Sequence, residues 1–281
     1  MRGLRATPVL LLLPSLGVFA LVFVAPLVWF FIISFWRKER FDIVPDATLD
    51  NYAETFGEYS RSLWFTFGIA ALIGLITVVL AFCFAYLVRF KAGRYGTPLL
   101  FVALITLFGG YLSKVYVWKT ILGETGLLNS ALLILGVTDE PLVTFLYNPI
   151  AVVITLTHFM LPLAVLPIFG SLRSIDDEPL LAARDLGANP FRVFRDIVLP
   201  QCRVGLLVAF TLSFLFAAGD WVTPALVGGP YTSMIGTFIE FQYGSRFNQP
   251  LGSAMAFTVI GLSLVVIGGA ASIARSALKV R

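Results

Sequence analysis

Ser174-Ile175-Asp176-Asp177-Glu178-Pro179-Leu180-Leu181-Ala182-Ala183-Arg184-Asp185-Leu186-Gly187-Ala188-Asn189-Pro190-Phe191, running on to Ile197-Val198-Leu199-Pro200, interrupts an otherwise apolar chain. The stretch is too polar to cross a bilayer, yet its punctuation describes two short helices. Asp176 is placed to cap the first. With Asp177 and Glu178 it puts three acids at that helix's positive end, and Ile175 is spaced to staple onto Leu180. Gly187 accepts the left-handed backbone that ends a helix, and Asn189 followed by Pro190 offers a cap and a pre-set first residue for the next. Leu180, Leu181, Ala183, Phe191 and Phe194 are more apolar than an exposed loop requires. A protein partner is therefore expected to cover part of this surface.

On either side the chain is greasy. Of 281 residues 58% are hydrophobic, 13% are charged, and the mean hydropathy is +0.91. A water-soluble domain carries about a quarter charged residues, so the surplus apolar surface must face lipid and most soluble enzyme classes are excluded. Six runs are long enough to span, at about 7–36, 63–88, 97–118, 149–172, 200–218 and 251–278. The first is too long for a cleaved signal core and reads as an anchor, kinked but not forbidden by Pro14 and Pro26. Cys83 and Cys202 lie far apart within apolar stretches and read as packing residues; with one histidine, they give no metal-ligand spacing and no metal site is expected.

Placing the N-terminus inside puts 13 of the 20 Lys and Arg on the cytoplasmic side, among them Arg2, Arg5, Lys279 and Arg281. The outer side receives 7 bases and 11 of the 16 acids. Both termini are thus expected in the cytoplasm. The middles of the spans carry no ionisable group apart from His158, which reads as a helix-packing hydrogen bonder, and Lys114 and Lys119 sit near the outer end of the third run, where they can snorkel. A self-powered pump is poorly supported.

The order Ala182-Ala183, three residues, Gly187, nine residues, Ile197-x-Leu199-Pro200 resembles the EAA loop of ATP-binding cassette importer permeases. The resemblance implies an all-α membrane protein with six transmembrane helices, the type I importer permease fold, and a coupling helix in the loop at about 174–200. It implies that Glu178, Leu181, Ala182, Ala183, Asp185 and Gly187 meet the ATPase, the small residues giving close approach and the bend, while Ile197, Leu199 and Pro200 anchor the loop to the fifth span. Leu181 stands where the family has Glu, so any ion pair of that Glu is absent or supplied from Glu178, one turn upstream.

Further matches narrow the resemblance. Asp220-Trp221-Val222-Thr223-Pro224-Ala225-Leu226-Val227-Gly228-Gly229, Met234-Ile235-Gly236, Pro250-Leu251-Gly252-Ser253-Ala254, and Tyr116-Val117-Trp118 ahead of Gly126-Leu127-Leu128-Asn129 are similar to spermidine/putrescine-type permeases. The likeness covers about 51–278 of a single expected domain, 1–281. It implies a lipid-embedded inner-membrane subunit working with a cassette ATPase dimer, a second permease that is a heterologous paralogue, and a periplasmic or extracellular solute-binding protein. No Gly-x-x-x-x-Gly-Lys-Ser/Thr sequence is present. ATP and Mg are therefore expected on the partner ATPase, with no cofactor, catalytic residue or nucleic-acid partner on this chain.

Towards the outer face Ser233 is placed to cap a helix of about ten residues ending near Gly244, with Met234, Ile235, Phe238 and Ile239 on one side. A polyamine would need carboxylates and aromatic faces along its path. Asp220 beside Trp221, and Glu240 beside Phe241 and Tyr243, are the candidates, with Trp118; each also reads as an ordinary interfacial residue. Lys114 argues against a bare cation path at its own position and is free to pair with an acid of a partner. Amino-acid derivatives, opines or phosphonates are alternative solutes of the same machine. A self-sufficient carrier or channel is the competing class, and an intramembrane enzyme, with a lone histidine and no nearby carboxylate, the weakest.

Overall fold

Apolar runs of this length can satisfy their backbone groups in lipid as helices, and helices are what the chain forms. The computed structural model describes residues 7–40, 42–230 and 232–277. Arg2, Arg5, Lys279 and Arg281, and position 278 at the end of the sixth run, lie outside the described residues.

In chain order the helices begin with α1 (Thr7–Phe19) and α2 (Ala25–Ile33), joined by a wide π-helical turn at Ala20–Val24. A short antiparallel ribbon follows, β1 (Arg37–Glu39) with β2 (Asp42–Val44), pairing Arg37 with Val44. Next come α3 (Asp50–Gly57), α4 (Ser60–Phe90), α5 (Gly96–Ile105), α6 (Tyr111–Leu122), α7 (Leu127–Ile134) and α8 (Pro149–Arg173). The polar stretch forms α9 (Asp177–Asp185), α10 (Pro190–Val193), a second π-helical turn at Phe194–Val198, and α11 (Leu199–Gln201). The chain ends with α12 (Arg203–Gly219), α13 (Ile235–Gly244) and α14 (Gln249–Ala277).

Among the described residues four helices are long and apolar enough to cross a membrane: Leu12–Ile33, Ser60–Phe90, Pro149–Arg173 and Gln249–Ala277. Two bent pairs pass the same test only when joined, Gly93–Phe108 with Tyr111–Ile134 at 98° and Pro190–Gln201 with Arg203–Gly219 at 64°. The third run, expected to be continuous over 97–118, is thus broken. Gly109 and Gly110 adopt extended backbone between α5 and α6, since two consecutive glycines hold a helix least well.

Of three π-helical turns among the described residues, those at Ala20–Val24 and Phe194–Val198 end two residues before a proline, Pro26 and Pro200, and the third, Pro224–Gly228, starts on one. The proline ring clashes with the carbonyl four residues back and supplies no N–H to it, and a widened turn relieves both faults without breaking the helix.

The described chain divides into two compact units. One draws on residues within 1–60 and 238–260. There Asn51 Nδ2 donates to the carbonyls of Ser34 (2.9 Å) and Trp36 (2.8 Å), Phe30 and Phe31 pack edge-on against Tyr243 and Phe257, and Gln242 Nε2 donates to the Tyr59 hydroxyl at 3.1 Å.

The other unit draws on 61–237 and 261–281 and contains α8 packed along α12. A Cβ at Gly205 would lie 2.5 Å from the Pro167 carbonyl and run into the Ser171 hydroxyl, so this glycine sets the closeness of the two helices. On α4, Leu63, Phe67, Ala70, Ile73, Ala81 and Ala85 are buried while Leu72, Leu75, Val79 and Leu87 are exposed. A helix apolar on every face, yet packed on only one, leaves the other for lipid.

Candidate functional site

The polar stretch folds as its sequence suggests, with one exception. Asp176 holds the cap position in extended geometry but makes no side-chain cap hydrogen bond. The helix start is secured from outside instead. Arg89, near the end of α4, donates through Nη2 to Asp177 Oδ1 at 2.8 Å and to the Ile175 carbonyl at 3.4 Å. These partners are 88 and 86 residues apart, and no local pattern announces them.

Ile175 and Leu180 are both buried in one apolar cluster with Val193, Val198 and Cys202, as the staple requires. Gly187 ends α9 at φ +81°. The Ala188 N–H donates to the Ala183 carbonyl at 3.0 Å and the Gly187 N–H to Arg184 at 2.9 Å, the paired bonds of a Schellman turn. A Cβ at Gly187 would meet nothing within 4 Å, so within this chain the residue serves the bend and not a close approach. Asn189 caps α10, its side-chain oxygen accepting from the Arg192 N–H at 2.8 Å, with Pro190 first in the helix.

Burying each of Leu180, Val193 and Val198 contributes about 1.5–3 kcal/mol. The partly exposed Arg89–Asp177 pair contributes about 0–1 kcal/mol. Apolar packing therefore holds the knuckle and the ion pair orients it.

Of the residues expected to form the partner-facing surface, Glu178, Leu181, Ala182, Asp185 and Gly187 are exposed and Ala183 is half-buried. Ile197 and Leu199 are half-buried and Pro200 is buried, so the inward anchors also include Val193 and Val198, which the motif did not single out. Leu180 turns inward, and Phe194 packs on Phe82 and Tyr86 of α4. The apolar residues left outside are Leu181, Leu186 and Phe191, at 56%, 89% and 67% exposure. Leu186, just before the bend, was missed because it falls off the α9 repeat. A cavity of about 780 Å³ opens beside them, walled by residues that include Tyr86, Arg89, Lys91, Arg184 and Pro190.

The outer candidates are arranged differently from expectation. Asp220 is buried and its oxygens are already engaged. It accepts from the Tyr111 hydroxyl at 2.6 Å and from the backbone N–H groups of Val222 (3.0 Å) and Thr223 (3.3 Å), fixing the turn after α12. Trp221 beside it is exposed. Lys114 Nζ lies 5.1 Å from the centre of the Phe159 ring, occluded and without a hydrogen-bond partner among the described residues.

Trp118 meets His158 edge-on at 5.5 Å; the histidine is exposed and makes this ring contact in place of the expected hydrogen bond. Cys202 is buried as expected, but Cys83 is exposed on its apolar helix. Ser233 donates to the Pro230 carbonyl and does not cap α13. Thr66 of α4 takes that role, accepting from the Ile235 N–H at 2.8 Å. Glu240 is exposed, whereas the hydroxyl of Tyr243 is held at 2.7 Å by Ser253. Lys114, Trp118, Asp220 and Trp221 belong to one compact unit, and Glu240 and Tyr243 to the other.

No family model matches the chain. Relatives do. It is 30% identical over 220 residues to the spermidine/putrescine transport system permease protein PotB of Haemophilus influenzae, covering 78% of this chain and 76% of that one. It is 33% identical to PotB of Escherichia coli over 78% of this chain and 81% of the relative. The chain belongs to the PotB-like family of ABC transporter permeases. The crystal structure of a bacterial alginate ABC transporter in complex with an alginate pentasaccharide-bound periplasmic protein superposes on this permease with a TM-score of 0.78 at 14% identity, over 97% of this chain and 95% of that one. At that identity the likeness speaks for the fold. The permease is a mostly helical, multi-pass membrane protein, and its function is that of the permease subunit of a binding-protein-dependent ABC importer.

Proposed function

We propose that the permease forms half of the membrane pathway of an inner-membrane importer for a polyamine-like solute, with α9 as the coupling helix that receives work from a cassette ATPase dimer. The observation that carries the coupling assignment is the bent α9–α10 knuckle, packed on its inner side and presenting Leu181, Leu186 and Phe191 outward. In this reading each bent pair counts as one span, giving six. The excess of Lys and Arg supports a cytoplasmic location for both termini and the knuckle. The 1–281 chain is a single transmembrane permease domain. ATP and Mg bind the partner ATPase, and this subunit does no bond chemistry of its own. A second, paralogous permease completes the pore, and an external binding protein delivers the solute.

The polyamine assignment is supported by the names of the PotB relatives. A solute with an acidic group is the second reading, favoured by the ammonium of Lys114, which has no hydrogen-bond partner among the described residues.

The test is site-directed crosslinking in the assembled importer. Leu181→Cys and Leu186→Cys should crosslink to the cognate ATPase while a cysteine at Trp64, on the exposed face of α4, should not. Absence of crosslinks from both knuckle positions removes the coupling assignment. Direct titration of the cognate external receptor with spermidine, putrescine and 2-aminoethylphosphonate decides between the two solute readings.

A further inference from the structure

The connection between α4 and α5 is densely basic. Arg89, Lys91 and Arg94 fall within six residues, with no acid between Arg61 and Lys114. Arg89 and Arg173, the last residue of α8, line one cavity of about 520 Å³ together with Gly93, Gly96 and Thr97. Helix α5 begins in that cavity. Gly96 is its first residue; Tyr95 makes no side-chain cap, and the Gly96 N–H donates to the Gly93 carbonyl.

Alongside lies a cavity of about 450 Å³ of opposite character, lined by Ala92, Tyr95, Pro98, Leu99 and Val102 with Lys91 at its edge. Leu99 and Val102 are exposed and climb the membrane-crossing segment. Arg94 stacks on the Tyr95 ring at 4.8 Å and donates to its hydroxyl. Among the described residues Lys91, Arg94 and Arg173 form no ion pair.

A free anion would use the guanidinium groups and leave the apolar cavity empty, and an uncharged lipid would do the reverse. A ligand with a phosphate and a hydrocarbon tail matches both. We propose that this surface binds one anionic phospholipid, its phosphate between Arg89 and Arg173 and an acyl chain along Pro98, Leu99 and Val102. The inference goes beyond the transport reading and stands whatever the solute is. It gives the lipid a line to the coupling helix, because the Arg89 guanidinium that takes the phosphate also holds Asp177 at the start of α9.

The test uses purified full-length permease, delipidated in neutral detergent and titrated with phosphatidylglycerol or phosphatidylcholine, with bound lipid counted by native mass spectrometry. Phosphatidylglycerol is expected to be retained over phosphatidylcholine. Arg173→Gln should weaken its binding about five-fold, the contribution of one cation near a membrane surface, and Arg173→Lys should restore most of the loss. The double variant Lys91→Gln with Arg94→Gln carries the same expectation if Arg173→Gln does not fold.

Three results overturn the proposal. One is equal retention of the two lipids, and another is full phosphatidylglycerol binding by the charge-removing variants. The third is displacement of the lipid by millimolar inorganic phosphate, which would make this a free-anion site. Loss of the lipid on assembly with the ATPase would assign the surface to that protein and overturn it equally.

Discussion

Gly187 is the residue on which the knuckle turns. Its φ of +81° lies where a Cβ costs about 1–2 kcal/mol, and no neighbour lies within 4 Å of where that Cβ would be, so the cost is purely conformational. Gly187→Val should abolish most solute uptake with membrane insertion unchanged, whereas Gly187→Asn, which tolerates this conformation, should keep most of it. Uptake assays beside membrane-fraction blots check the pair, and equal uptake by all three proteins would remove the bend from the coupling mechanism.

Glu54, on α3 outside the spans, titrates above its ordinary value because burial disfavours its charge and Glu58 adds repulsion, with Arg246 opposing. A carboxyl whose pKa is raised by folding holds its proton better folded than unfolded. Its stabilising effect is complete below the unfolded value of 4.5 and is lost as pH rises through the folded value. Glu54→Gln should therefore raise the thermal midpoint at neutral pH and leave it unchanged at pH values below about 4. A lower midpoint at neutral pH would show that the Arg246 attraction dominates.

What the sequence disclosed at this scale was whatever depended on neighbours in the chain. The Gly187 bend and the Asn189 cap were readable. The Arg89–Asp177 bridge, the Thr66 cap and the engagement of Asp220 were not, because each joins residues that only folding brings together.

Among elements, the pairing of α8 with α12 depends on the small side of one residue. Gly205→Leu would force side-chain atoms into the Pro167 carbonyl and Ser171, an overpacking that costs about 1–3 kcal/mol. A thermal midpoint several degrees lower is expected in detergent, while Gly268→Leu, whose Cβ would meet nothing within 4 Å, should leave it within error. Matching midpoints for the two variants would place the helix contact elsewhere. Hydropathy located the long helices to within a few residues but passed through the Gly109–Gly110 break without notice. A window average counts glycine as close to neutral, although glycine is a poor helix former. The proline-linked wide turns were equally hidden: Pro26 and Pro200 signalled disturbance, but not the form it takes.

For the whole molecule, composition required lipid, the length of the apolar runs pointed to helical spans, and the spacing in the knuckle pointed to the family. The solute path stayed illegible, since in the proposed assembly it is lined by more than one chain and is only partly written in this one. The large apolar residues left uncovered, from Phe108 at 90% exposure to Leu186 at 89%, belong to a subunit built for lipid and company. The widened turn at Ala20–Val24 adds a final point about alignment. One surplus residue in a turn is a phase slip of about 100°, so everything after Val24 is aimed a quarter-revolution or more away from the direction a regular spiral would give. Phe30 and Phe31, which meet Tyr243 and Phe257, lie beyond that offset. Deleting a single residue there should let the turn close to regular geometry with both rings still facing their partners, because the rotation lost with one residue equals the slip.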